Sequence, residues 1–210
     1  MTLKVCEIFQ SIQGESTWTG LPCTFIRLAG CNLDCTWCDT RYAKDETNAK
    51  IMDTDLIMQS VKTAELNYVC VTGGEPLTQS GTIGLLKKLL QEGYRVSLET
   101  NGSINWTHLP ETISCIVDIK CPSSGMSAHN RLDCLAGLRL NDQIKFVVSD
   151  HQDYVFAREI YHRYLKNFDG PMFVSPVYGV MNPLMLANWL ISDKIPMRLH
   201  LQMHKILKLK

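Results

Sequence analysis

Apolar positions along this chain fall into short runs rich in Val, Ile and aromatic residues, separated by stretches with helical spacing. Seven runs read as strands: 22–30 (PCTFIRLAG), 67–74 (NYVCVTGG), 94–102 (YRVSLETNG), 114–120 (SCIVDIK), 143–149 (QIKFVVS), 170–176 (GPMFVSP) and 196–202 (PMRLHLQ). β-branched and aromatic enrichment bounded by Gly, Pro, Asn or Asp is the composition a pleated, half-buried element favours. Between the runs the spacing predicts helices. One covers 53–66, with Asp53 as its cap. A second covers 82–93, placing Ile83, Leu86 and Leu90 on one face and stopping at Gly93. A third covers 153–165, with Val155, Phe156, Ile160 and Tyr164 at helical spacing, and a fourth opens with Asn182 as N-cap and Pro183 in its first turn. From Tyr68 onward strand starts recur about every 20–30 residues, the length of a β-loop-α unit, which implies a parallel sheet with functional groups at the strands' C-terminal ends. A complete eight-stranded barrel needs about 250 residues. This chain of 210 supports six to seven mostly parallel strands and fewer helices. The expected fold is therefore α/β, an incomplete, splayed (β/α) barrel formed as one domain over residues 1–210.

Charge narrows the classes of function. Twenty-one basic and 21 acidic residues balance to zero, which argues against a large nucleic-acid footprint. No apolar run approaches the roughly 20 residues that span a membrane. The opening segment carries Lys4, Glu7 and Glu15 and lacks the apolar core of a signal peptide. These features point to a cytoplasmic protein. In a reducing compartment its nine cysteines suit metal ligation or chemistry better than a disulfide framework.

Three of those cysteines, Cys31, Cys35 and Cys38, crowd into the loop 30–40 (GCNLDCTWCDT). Packing alone is one explanation, since free cysteine behaves as a small hydrophobe. A structural zinc site is another, but it wants four ligands, and the fourth would have to come from Cys23 or a distant His. A cubane iron–sulfur cluster is normally held by four thiolates; three leave one iron open for a substrate or cofactor. The C-x-x-x-C-x-x-C loop after a strand resembles the signature of the radical S-adenosylmethionine (SAM) superfamily, and TGGEP at 72–76 resembles that superfamily's glycine-rich segment. The resemblance implies a [4Fe–4S] cluster whose open iron chelates SAM. One-electron cleavage then gives a 5′-deoxyadenosyl radical that takes a substrate hydrogen.

The rest of the chain is similar to one branch of that superfamily. EIFQSIQGES, TFIRLAGCNLDCTWCDT, TGGEP, LETNGS, the lysine of DIK, IKFVV and LQMHK together resemble the 7-carboxy-7-deazaguanine synthases of queuosine and other 7-deazapurine pathways. That resemblance implies conversion of 6-carboxy-5,6,7,8-tetrahydropterin to 7-carboxy-7-deazaguanine with loss of ammonia. It also implies Mg²⁺, a homodimer and an electron donor of flavodoxin or ferredoxin type, with no nucleic-acid or membrane partner. Carried over by position, Ile12, Gln13 and Gly14 line the pterin pocket, Arg27 pairs with the substrate carboxylate and Thr72 touches substrate. Cys31, Cys35 and Cys38 hold the cluster and Thr40 binds Mg²⁺. SAM is contacted by Trp37, Cys38, Asp39, Gly74, Asp118, Ile119 and Lys120, and by the turn of Ser175, Pro176, Val177 and Tyr178. Glu15 is a candidate acceptor for the pterin's amino-pyrimidine edge, or a solvated turn residue. His204 is a candidate pocket residue, or a satisfied core histidine. For Arg27 the plainer alternative is a surface ion pair, and for Thr40 a cap on the turn. The chain departs from the pattern at DIK, where many such synthases read Ser-Pro-Lys, at Ser175–Tyr178, and at its last residue, Lys210, where they end in proline. Two other readings stay open: a glycyl-radical-enzyme activase acting on a partner protein, and a zinc-stapled binding module without turnover.

Overall fold

The computed structural model of the chain describes residues 1–47 and 49–209; Lys210 lies outside the described residues. Among the described residues nine strands form one sheet: β1 (Thr2–Ile12), β2 (Pro22–Leu28), β3 (Lys50–Asp53), β4 (Tyr68–Gly73), β5 (Arg95–Thr100), β6 (Ser114–Ile119), β7 (Gln143–Val148), β8 (Met172–Pro176) and β9 (Arg198–Leu199). Their spatial order is β3-β1-β2-β4-β5-β6-β7-β8-β9. From β2 to β9 every neighbouring pair is parallel, and these seven strands are the seven predicted runs. Each strand adds on the same side of the last, as in a (β/α) barrel rather than a doubly wound sheet. β3 and β9 remain as edges, so the barrel stays open.

β1 and β3 lie outside the predicted set. β1 pairs antiparallel with β2 and β3, and its alternation is broken by a register shift between Val5 and Glu7. An extra residue of this kind reverses the inside–outside pattern along the strand, which is why no period-two signal runs through it. β3 is short and mostly exposed.

Helices α1 (Thr54–Thr63), α2 (Thr82–Gln91), α3 (His151–Ile160) and α4 (Pro183–Asp193) connect or flank the strands, and a short α5 (Met203–Leu207) follows β9. Among the described residues no helix intervenes from β5 to β6, and only 3₁₀ turns from β6 to β7. Caps fall where predicted: Asp53 accepts from Leu56 N and Asn182 from Leu184 N. Two faces were phased differently from expectation. The buried face of α2 carries Leu85, Leu86 and Leu89, with Ile83 and Leu90 only half-buried. In α3 it carries Tyr154, Ala157 and Ile160, and a π turn over Tyr161–Leu165 then turns Leu165 inward and leaves Tyr164 exposed. The wider turn resets the helical phase.

The strands themselves are two-faced. Ile26, Leu28, Val69, Val71, Val96, Leu98, Val117, Ile119, Ile144, Phe146 and Val148 belong to the core shared with the helices. The alternate positions Arg27, Thr72, Glu99, Asp118 and Lys145 turn to the other face, inside the curl of the sheet. No helix among the described residues is long and apolar enough to cross a membrane. Leu85→Ala is expected to cost about 2–5 kcal/mol, the range for truncating a fully buried leucine. Ile83→Ala, on the half-buried flank, should cost clearly less. Urea denaturation of both variants checks the phase of α2, and equal losses would contradict it.

Candidate active site

The three-cysteine loop leaves the C-terminal end of β2 and is held there by backbone. Gly74 N donates to Leu28 O at 3.0 Å and Glu75 N to Gly30 O at 2.8 Å. A Cβ on Gly73 would lie 2.1 Å from Leu28 O, and one on Gly74 would lie 2.1 Å from Gly30 O and 2.9 Å from Cys31 Cβ. The glycines of TGGEP are thus demanded first by the loop that passes over them, whatever ligand also approaches. Glu75 is fully buried; it accepts from Leu77 N at 3.0 Å, Thr100 Oγ1 at 3.0 Å and Asn101 N at 2.6 Å. Burial pushes its carboxyl above the ordinary value against those hydrogen bonds. Asn101 continues the brace, donating to Asn32 Oδ1 at 3.0 Å and to Cys31 Sγ at 3.8 Å. On the other side, Thr36 N donates to Ser124 O at 3.1 Å and Arg41 to Thr36 O at 2.8 Å.

Cys31, Cys35 and Cys38 are half-buried and line one cavity of about 220 Å³. Cys23, Cys70, Cys115, Cys121 and Cys134 are buried and Cys6 is half-buried on β1, in keeping with packing. Among the described residues no three His, Cys, Asp or Glu side chains converge as a single metal ion requires. Three thiols that line one cavity without converging on a point suit a multi-iron cluster, whose ligand sulfurs bind different irons, better than zinc. Burial raises the Cys31 and Cys35 thiols above their ordinary value, so ligation there is accompanied by proton release.

The cavity floor is the polar face of the sheet. Arg27 and Thr72 are register partners on β2 and β4, as are Asp118 and Lys145 on β6 and β7. Arg27 Nε donates to Glu7 Oε1 at 3.0 Å, and the guanidinium lies 5.6 Å from the Phe9 ring and 5.9 Å from that of Tyr42. Thr72 donates to Glu99 Oε2 at 2.8 Å. Asp118 Oδ2 lies 3.1 Å from Lys120 Nζ and 3.3 Å from Lys145 Nζ. Burial works against the Asp118 charge, but the two ammonium groups outweigh it and hold its carboxyl below the ordinary value.

Two further segments close the cavity: the loop from β1 to β2, with Gln13, Gly14 and Glu15 after Ile12, and the chain around α5, with Gln202, His204 and Lys205. Gln13 is buried, accepting from Glu15 N at 3.0 Å and approaching Glu99 Oε1 at 3.4 Å. Met203 N donates to Gly14 O at 3.1 Å, and a Cβ on Gly14 would strike His204 Nδ1 at 2.1 Å. Glu15 is buried, not solvated, and Lys205 pairs with Asp39 at 2.7 Å.

Most of the residues singled out from the sequence therefore meet in one place. Trp37, Asp39, Thr40, Gly74 and Lys120 line the cavity with the cysteines, as do Arg27, Thr72, Glu15 and His204. Five do not line it. Ile119 is fully buried in the core, because its neighbours Asp118 and Lys120 take the inward positions of the alternation. Ser175, Pro176 and Val177 are buried at the end of β8, Tyr178 is exposed, and the cavity wall on that side is already made by Lys145 and Val147 of β7. Sequence reasoning passed over Glu99, Asn101, Lys145 and Gln202. Lys145 carried a signal: it is a single charge inside an apolar strand, where charge is costly unless paired.

An open parallel barrel with a three-thiol loop after its first parallel strand, braced by a glycine pair after the next, defines the class. Residues 25–121 match the Radical SAM superfamily model, and the class implies a [4Fe–4S] cluster and SAM. Across nearly its full length the chain is 42% identical to the 7-carboxy-7-deazaguanine synthase of Chlorobaculum tepidum, covering 97% of this chain and 93% of that one. It is 37% identical to the synthase of Koribacter versatilis, covering 98% and 96%. The chain belongs to the 7-carboxy-7-deazaguanine synthase family. In fold it is similar to QueE from Escherichia coli, with a TM-score of 0.82 at 21% identity over 97% of this chain and 95% of that one. Gly74→Ala should leave the three cysteines and the circular dichroism intact while lowering iron bound per chain several-fold, because the loop must lift off Gly30 O. Iron analysis after anaerobic reconstitution measures this.

Proposed function

We propose that the chain converts 6-carboxy-5,6,7,8-tetrahydropterin to 7-carboxy-7-deazaguanine, with loss of ammonia, in 7-deazapurine biosynthesis. What carries the reading is one cleft in which the three-cysteine loop faces a polar floor with Arg27 at one side and Glu15 at another. The cluster and SAM, when bound, supply the hydrogen-abstracting radical. The chain's own residues bind and orient the pterin and keep water out.

Arg27 is the carboxylate anchor. Its Nε bond to Glu7 and its place between two rings hold the guanidinium plane, and the fork's terminal nitrogens are the pair a carboxylate takes bidentately. Such anchoring turns one face of the ring toward the reacting carbon and holds it there. Thr72, with its hydroxyl proton given to Glu99, offers an oxygen as acceptor to substrate. Ile12, Gln13 and Gly14 form the wall against the pterin plane, with His204 packed on Gly14. Trp37, Cys38, Asp39, Gly74, Asp118 and Lys120 form the SAM side. Thr40, whose Oγ1 lies 3.8 Å from Cys38 Sγ, supplies one hard oxygen for Mg²⁺; substrate and water complete the set, as Mg²⁺ commonly requires. The exposed apolar face of α4, with Leu184, Met185 and Ile191, supports a homodimer, and the reductant is a flavodoxin- or ferredoxin-type protein.

Anaerobic incubation with carboxytetrahydropterin, SAM and a reductant should yield the deazaguanine by chromatography, and Cys31→Ala, Cys35→Ala or Cys38→Ala should abolish it. Product from any of these variants, or none from the parent, sinks the reading. Arg27→Lys keeps the charge but loses the planar fork. It should cut kcat/KM by about 100-fold, equivalent to ~2.7 kcal/mol of lost orientation, and raise SAM consumed per product. Unchanged coupling would remove Arg27 from the carboxylate.

A further inference from the structure

Lys145 has no part in the roles above, yet it lines the cavity floor beside Asp118. Its neighbours Ile144 and Phe146 are fully buried in the core, and its own ammonium lies 2.6 Å from Glu15 Oε2 and 3.3 Å from Asp118 Oδ2. A buried ion pair is seldom retained for stability, because a packed apolar substitute is often as stable or more so. Geometry is the better reason. Glu15 Oε1 accepts from Gln202 Nε2 at 2.6 Å while Oε2 accepts from Lys145, so one donor on each oxygen fixes the carboxylate plane. A carboxylate has about four acceptor sites; these two bonds leave acceptor capacity on each oxygen. Burial pushes the Glu15 carboxyl up, but Lys145 outweighs it and the pKa falls to about 2, so the group is ionised and can only accept.

We propose that Lys145 is a positioning residue, fixing the Glu15 carboxylate to recognise a ligand edge with two adjacent N–H donors, such as a 2-amino-pyrimidinone. The assignment rests on the pterin reading of the cleft. Without Lys145, Asp118 keeps Lys120, but Glu15 keeps only the Gln202 donor; burial then favours its protonated form, which presents O–H where an acceptor is needed.

The test is equilibrium dialysis of carboxytetrahydropterin and of its analogue lacking the 2-amino group, with wild type, Lys145→Met, Glu15→Gln and the double variant, alongside KM and kcat. A site built around hydrogen bonds strongly rejects a ligand that leaves its groups unpaired. Wild type should prefer the amino ligand by about 100-fold, and Lys145→Met should reduce the preference to below about 10-fold, raising KM more than it lowers kcat. Adding Lys145→Met to Glu15→Gln should change little, because the lysine acts through the glutamate. A wild-type preference in Lys145→Met, an equal loss of affinity for both ligands, or additive effects would overturn the proposal. If Lys145→Met does not fold, Lys145→Met/Asp118→Asn removes the cation together with one carboxylate, and the same criterion applies. If wild type binds neither ligand, the pterin reading fails and this inference with it.

Discussion

Where a backbone carbonyl stands 2.1 Å from the place a side chain would begin, as Gly30 O does at Gly74, only glycine is possible. The close approach lets Gly74 N and Glu75 N continue pairing with Leu28 O and Gly30 O beyond the last register pair of β2 and β4. The start of the cysteine loop is thereby an extension of the sheet. Glu75, fully buried beneath it, gathers donors from the ends of two strands, and Asn101 carries that order on to Cys31 and Asn32. A loop that must present three thiols in a set arrangement is thereby tied to the hydrogen-bonded sheet.

The second constraint is electrical. The interior of the open barrel buries charges that would be costly alone, and it balances them locally: Arg27 against Glu7, and Lys145 and Lys120 against Glu15 and Asp118. A net charge of zero for the chain thus coexists with a strongly polar cavity. Each balancing partner also restricts its neighbour's rotation, so the groups facing a ligand are ordered before it arrives, which lowers the entropic cost of binding.

The sheet's two faces explain how core and site share the same strands. Alternation sends Ile26, Val71, Leu98, Val117 and Ile144 toward the helices and Arg27, Thr72, Glu99, Asp118 and Lys145 inward. One strand-length of sequence therefore carries both stability and chemistry. The same alternation removes Ile119 from the cavity while keeping the residues on either side of it.

Local spacing was enough to read the seven parallel strands, the caps at Asp53 and Asn182, the three-thiol loop and the glycine pair, because each is a short-range feature written in adjacent residues. A lone charge in an apolar strand was equally legible as a sign of something buried and paired. Its partner was not. Glu15 meets a lysine 130 residues away and a glutamine 187 residues away, and those meetings depend on strand register, on the curl of the sheet and on the return of the chain after β9. The bulge in β1, the π turn after α3 and the end of the cavity at β7 likewise escaped the pattern. Each shifts phase or closes space through contacts between distant segments, and periodicity along a chain holds no record of where its far end comes to rest.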